Sequence, residues 1–320
     1  MKLLIHTIAL NRADLLKQMI ESIDTKHEYK LFVHIVSKDP EIREYFKLHP
    51  KDETNILEAG SPFGEGIFIK DYGFNIGVAE CWNEALEIGY EPIPRYQHIV
   101  DVHPDLNIKS DRILFVNSDI KFGPGDIDRM IAFSEAKPDK LITITGSHGK
   151  HREKWDGMDL SHGFAVAILP PQIFDEIGYF DENFFPAYNE DCDYFTRLWL
   201  HRQLGPIQPG YDKISAKDSP LVECVKSGHC HHEGSCVIYS DSRLMELNRK
   251  THGQNNRYYM AKWGGLNDHE TYNWPFDEEL DAGHMASLYI GPTQKHNPYP
   301  EFWNRLREKE KYYNEIRTLL

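Results

Sequence analysis

"RILFVNSDIKF", residues 112–122, holds four unbroken apolar residues, Ile113 to Val116, and then turns to Asn117, Ser118 and Asp119. A strand covered on both faces reads as such a run, whereas a half-exposed strand alternates apolar with polar residues. The stretch therefore predicts a central parallel strand of an α/β fold. In open α/β sheets ligands bind in the crevice outside the carboxyl ends of the strands, which makes Asn117, Ser118 and Asp119 candidates to face a ligand. The same residue types also form turns, and this stretch alone leaves the two readings open.

Outward from it the pattern repeats. "KLLIHTIAL" (2–10) predicts a first buried strand, followed by a helix with Leu15, Leu16, Met19, Ile20 and Ile23 on one face. "YKLFVHIVSKD" (29–39) is a second strand with a polar end, and a helix from about Val78 to Ile88 turns Val78, Trp82 and Ala85 inward. Residues 91–112 read as an irregular insertion. Residues 139–149 and 163–171 are further strands, and "NEDCDYFTRLWLHRQ" (189–203) is a helix. Strands alternating with helices from the N-terminus predict a mostly parallel sheet flanked by helices.

Past about residue 240 the texture turns aromatic, polar and loop-rich, which divides the chain into a body, 1–240, and an extension, 241–320. The extension ends in "EFWNRLREKEKYYNEIRTLL", where Phe302, Leu306, Tyr313, Ile316 and Leu320 recur at helical spacing. Packing on the body or a homodimer contact would use that face.

A net charge of −14 over 320 residues argues against tight binding to a polyanion, which needs clustered Lys and Arg. No apolar run approaches the roughly 18 residues of a membrane span. "MKLLIHTIALNRADLL" meets Asn11 and Arg12 too early for a signal peptide. The expectation is a soluble, cytoplasmic protein. Five cysteines give no disulfide framework, although Cys224, Cys230 and Cys236 crowd a histidine-rich segment.

Four motifs occur in one order. Thr7, Asn11 and Arg12 stand in the first strand and its turn; Asn75, Gly77 and Asn83 fall in "FNIGVAECWNEAL" (74–86); "FVNSDIKF" carries Asn117 and Asp119; and "GYFDENFFPAYNEDCDYFTRLWLHRQLG" spans 178–205. Together they resemble family 2 nucleotide-sugar glycosyltransferases, in particular bacterial and viral rhamnosyl- or galactosyltransferase-like members. The resemblance covers about residues 1–240. It implies a GT-A fold, a nucleoside diphosphate sugar donor and a hydroxyl acceptor of carbohydrate type. Thr7, Asn11, Arg12, Asn75, Gly77, Asn83, Asn117, Ser118 and Asp119 would then lie on the donor side. The sequence departs from the family in His6, Ala9 and Leu10, and in "HIVSKD" (34–39), where Asp39 is the candidate for the nucleoside.

The chemistry asks for two kinds of group. Charge grows on a departing diphosphate, and a divalent ion with oxygen ligands, Mn2+ or Mg2+, neutralises it; Asp119 is the candidate ligand. An attacking hydroxyl needs a general base, and "NEDCDYF" offers Glu190, Asp191 and Asp193 at a helix start, where carboxylates are also favoured by the helix dipole alone. The resemblance selects Asp191 as base, with Glu190 beside it touching the acceptor or a loop, and implies inversion at the anomeric carbon. Arg197 is expected to pair with a nearby acid.

In "CVKSGHCHHEGSC" (224–236) the resemblance offers His231, with His229 as the alternative, as a further metal ligand. A separate zinc site of the cysteines and histidines is the competing reading, weakened by the lack of close Cys-x-x-Cys pairs. Trp155, His162, Trp263 and Trp274 are candidates for an acceptor wall or lid, with core packing as the plain alternative. The rival functions are a nucleotidyltransferase, an inactive carbohydrate-binding scaffold, and a glycosyltransferase acting on nucleic acid.

Overall fold

The computed structural model describes residues 1–48, 56–58, 66–90, 110–148, 158–159, 164–204, 219–227, 229–234, 242–272 and 275. Trp155, His162, Trp274, Cys236, the insertion over 91–109 and the helix expected over 301–320 lie outside them.

The sheet is built around β1 (Lys2–Ala9), β2 (Glu28–Ile35), β4 (Ile67–Asp71) and β5 (Arg112–Val116), which run parallel in the order β4-β2-β1-β5. β3 (Ile56–Glu58) closes one edge, antiparallel to β4. Beyond β5 the order continues through β9 (Val166–Leu169), β7 (Leu141–His148), β11 (His231–His232) and β6 (Ile120–Lys121). β9 runs antiparallel to both neighbours, and β8 (Met158–Asp159) and β10 (Val222–Val225) pair with β7. The architecture is the α/β one expected, a mostly parallel central sheet flanked by helices.

The opening stretch shows why. Along β5, Leu114 and Val116 pack into one apolar layer and Ile113 and Phe115 into another, each nearly inaccessible. Alternate residues of a strand point to opposite faces, so an unbroken apolar run requires cover on both. One layer is completed by α1 (Ala13–Glu21), α2 (Pro40–Tyr45) and α4 (Asp126–Ala136). The other is completed by α3 (Val78–Gly89), α5 (Pro171–Ile177) and α6 (Glu190–His201). Between α3 and α6 the rings of Trp82, Phe180 and Tyr194 pack together, Trp82–Phe180 tilted with centroids 4.8 Å apart and Phe180–Tyr194 stacked at 4.4 Å. Each buried ring of this kind contributes roughly 1.5–3 kcal/mol by leaving water.

Two features depart from the sequence reading. The segment after residue 240, expected to be loop-rich, contains a helix of 22 residues, α7 (Ser242–Trp263). Its composition is mostly polar, so it shows little hydrophobic periodicity. It is joined to the body through Tyr258, Tyr259, Lys262 and Trp263, which are buried. The strand "KLLIHTIAL" also carries a buried polar chain: His6 Nε2 lies 2.6 Å from His34 Nδ1, and His34 Nε2 lies 2.9 Å from Glu84 Oε2, which also accepts from Lys70 Nζ at 3.0 Å. No helix among the described residues is long and apolar enough to cross a membrane.

Candidate functional site

At the carboxyl ends of β1, β2 and β5 lies a cavity of about 610 Å³. Asn117, Ser118 and Asp119, following β5, form one wall of it; Asn75 and Gly77, before α3, form a second; Glu190 and Asp191, opening α6, form a third. Three sequence motifs separated by tens of residues thus converge on one space. Asp119 answers both readings of the opening stretch. The backbone turns there, with Ile120 N–H donating to Asn117 O at 3.2 Å and Glu233 N–H to Asp119 O at 3.1 Å, while the side chain stays on the cavity.

The wall at Asn75 is shaped by backbone geometry. Gly77 has φ +94°, and a Cβ there would stand 2.9 Å from Phe185 Cδ2. Glycine alone satisfies both the angle and the approach. Gly77 N–H donates to Asn75 Oδ1 at 2.9 Å, and Val78 N–H to Pro186 O at 2.8 Å, tying the start of α3 to the loop that leads into α6.

β11 decides which histidine faces Asp119. His232 Nε2 lies 3.1 Å from Asp119 Oδ1, and His232 lines the cavity. His231, expected to be the ligand, points the other way: its Nδ1 lies 2.7 Å from Ser147 Oγ and its Nε2 3.0 Å from Glu233 Oε1. His229 is exposed and sits against Gly123. In a strand a shift of one residue reverses the face, and the three-residue spacing that favoured His231 carries no information about which face is which.

Asp119 offers the carboxylate oxygen that a hard divalent ion of the Mg2+ or Mn2+ kind takes, with substrate phosphates and water completing its shell, and His232 stands beside it as a softer nitrogen ligand. Among the described residues no cluster of three His, Cys, Asp or Glu side chains could hold a metal by itself. The zinc reading finds no support in the described cysteines: Cys230 is buried among apolar groups, and burial pushes its thiol up to about 12. Among the described lining residues none is Lys or Arg, and four are acidic: Asp119, Glu190, Asp191 and Asp268.

The acids at the head of α6 divide by environment. Glu190 is buried, its Oε2 has no hydrogen-bond partner, and burial together with the charge of Asp191 raises its pKa well above the usual carboxylate range. Asp191 Oδ1 accepts from Cys192 N–H at 2.8 Å and lines the cavity. Asp193, on the far side of the same turn, accepts from Arg197 Nε and Trp263 Nε1, both at 2.9 Å, and pairs with Lys262 Nζ at 2.6 Å. Arg197 has the structural partner expected of it.

Several expected site residues do other work. Asp39 caps α2, accepting from Glu41 N–H and Ile42 N–H at 3.0 Å. Asn83 is fully buried and clips α3 to the loop between α5 and α6, donating to Phe180 O at 3.0 Å and accepting from Phe180 N–H at 2.7 Å. Arg12 forms a two-point pair with Asp14, at 2.9 and 2.8 Å, on the surface. Thr7 is buried in β1, and Asn11 lies in the turn after it; neither lines the cavity. Trp263, expected on the acceptor side, is a core residue holding Asp193.

Other lining residues were invisible in the motifs. Leu244, Leu247, Asn248 and His252 of α7 close the cavity opposite the strand ends, with Asn267 and Asp268 beyond the helix.

No family model and no curated protein matches the chain. Among solved structures, those similar to it include S. aureus TarS 1–349, 13% identical over 80% of this chain and 69% of that one, with a TM-score of 0.45. The same protein in complex with UDP-GlcNAc is 12% identical over 80% and 70% of the two chains, TM-score 0.45. The mannosyltransferase PcManGT from Pyrobaculum calidifontis, in complex with GDP-Man and Mn2+, is 10% identical over 81% of this chain and 63% of that one, TM-score 0.45. Likeness at this level leaves function to be read from the site itself.

Proposed function

We propose that the chain is a metal-dependent, inverting glycosyltransferase of GT-A type that moves a sugar from a nucleoside diphosphate to a hydroxyl acceptor. The observation that carries this is the meeting of Asn117–Asp119, His232, Asn75, Gly77 and the Glu190–Asp191 pair around one cavity whose described lining has no Lys or Arg. A diphosphate brought into so acidic a space requires a cation. Asp119 and His232 would hold Mn2+ or Mg2+, which when bound offsets the charge that develops on the leaving diphosphate.

The chain's own residues supply the rest. Asn75, Gly77, Asn117 and Ser118 lie where the donor would be seated. Asp191 takes the proton of the acceptor hydroxyl as its oxygen bonds to the anomeric carbon; the bond from that carbon to the diphosphate breaks and its electron pair leaves with the diphosphate. A single base and direct displacement give inversion. Glu190, unpartnered at Oε2, is placed to meet a sugar hydroxyl.

Calorimetric titration with UDP, GDP, CDP and dTDP, each with and without Mn2+, tests the proposal. One nucleotide is expected to bind only with the metal, and Asp119→Ala is expected to abolish that binding while the protein stays folded. Binding of none of the four, or equal binding without metal, would refute it.

A further inference from the structure

α7 has two halves with different surroundings. Its C-terminal half is sunk into the body: Asn255, Tyr258, Tyr259, Lys262 and Trp263 are buried. Asn255 Nδ2 donates to Ala187 O at 2.6 Å and Tyr188 O at 3.0 Å, and Asn189 Nδ2 donates to Asn256 Oδ1 at 2.8 Å. Those bonds fix the helix to the loop that leads into Glu190 and Asp191. Leu244 lies 18 residues, about five turns, before Lys262 and so on the same face. The N-terminal half of that face meets the cavity instead of the core, through Leu244, Leu247, Asn248 and His252.

The chemistry of this half is specific. Leu247 is 48% exposed despite being apolar. The ring of His252 lies 5.0 Å from that of Tyr188, at 45°, and both rings border the cavity. Apolar and aromatic walls with a few amides are the usual lining for small uncharged ligands. The other charged groups around the space are acids, so a second anionic ligand beside the diphosphate would be repelled.

We infer that the N-terminal half of α7, with Tyr188, is the acceptor wall, and that it selects an uncharged glycoside whose apolar ring face or aglycone lies on Leu244, Leu247, Tyr188 and His252. Asn248 meets its hydroxyls. The inference rests on the glycosyltransferase reading and adds the acceptor's side and chemical class.

The test uses the full chain saturated with Mn2+ and the nucleoside diphosphate that binds it. p-Nitrophenyl β-D-glucoside, β-D-galactoside and α-L-rhamnoside are titrated against glucose 1-phosphate and glucose 6-phosphate. At least one neutral glycoside is expected to bind about tenfold or more tightly than either sugar phosphate, and Leu247→Asp and His252→Ala are each expected to weaken it by about tenfold. Both positions are exposed, so neither change opens the core, and nucleotide affinity in the variants reports that the donor side is intact. Tighter binding of a sugar phosphate, no binding of any neutral glycoside, or unchanged glycoside affinity in both variants overturns the inference while leaving the enzyme reading standing. Failure of the nucleotide itself to bind overturns both.

Discussion

The first turn of α6 sets two kinds of carboxylate side by side. Asp193 faces the core, where it and Asp181 share Lys262, whose Nζ lies 2.6 Å from an oxygen of each. Burial works to raise the pKa of Asp181, and the charge of Lys262 together with the hydrogen bonds from Lys262, Asn183 and Tyr258 more than offsets it, so the group is held below its ordinary value. Glu190, three residues before Asp193 in the sequence, is also buried but faces the cavity, and its pKa is raised where that of Asp181 is lowered. The acids that share Lys262 fasten α7 to α6 and to the loop before it, while Glu190 and Asp191 line the cavity.

The contrast can be broken from either side. On the cavity side, Asp191→Asn is expected to lower the transfer rate by about 10²–10⁴ with the melting temperature held, because on the proposed mechanism it takes away the base while the amide oxygen can still accept from Cys192 N–H. Steady-state rates beside a thermal melt decide it; wild-type turnover would end the assignment. On the core side, Lys262→Met takes from Asp181 its cation and leaves Asp193 with Arg197 alone, and is expected to cost about 3–5 kcal/mol in denaturant unfolding. Adding Asp181→Asn and Asp193→Asn to that variant should recover part of the loss; a Lys262→Met protein as stable as the wild type would mean that the acids are not charged as described.

A smaller effect separates the two carboxylate environments by pH. Since the folded-state pKa of Glu190 is raised, the folded form holds a proton that the unfolded form has released, and stability falls as pH rises above the ordinary glutamate pKa. Glu190→Gln is therefore expected to raise the melting temperature more at pH 8 than at pH 5 while lowering transfer. An equal gain at both pH values would show that Glu190 is ionised throughout. The His6–His34 pair, by contrast, is buried in the sheet, and burial is the main cause of the lowered pKa of each. The unfolded chain takes up protons first, so this contribution to stability is full above about pH 6.5 and is lost as pH falls toward the folded values. Melting curves from pH 7.5 to 5.5 should slope downward with acid, and His6→Phe should flatten them.

Much of the cavity wall at the strand ends was legible because its signals are local. An apolar run that stops on Asn-Ser-Asp states both its burial and its polar end, and a glycine after Asn75 marks a backbone angle that side chains resist. Sequence and geometry part where a residue type has several uses. Asp39 is a good N-cap, Asn83 a good buried clip and Trp263 a good core residue, and nothing in their neighbours along the chain says which use applies. His231 and His232 differ by one position, and only the pairing of β11 with β6 and β7 settles which one turns to Asp119. α7 escaped because its stability comes from Asn255, Lys262 and Trp263 reaching the body rather than from an apolar stripe.

By itself, the sequence determined that this chain forms an α/β sheet buried on both faces and carries acids at a strand end and at a helix start, since burial and periodicity act over a few residues. Tertiary structure decided which acids keep a cation, which histidine meets Asp119 and which helix closes the cavity. Those outcomes depend on contacts between segments as far apart as Asp181 and Lys262, where solvent exclusion and charge pairing exist only once the chain has folded.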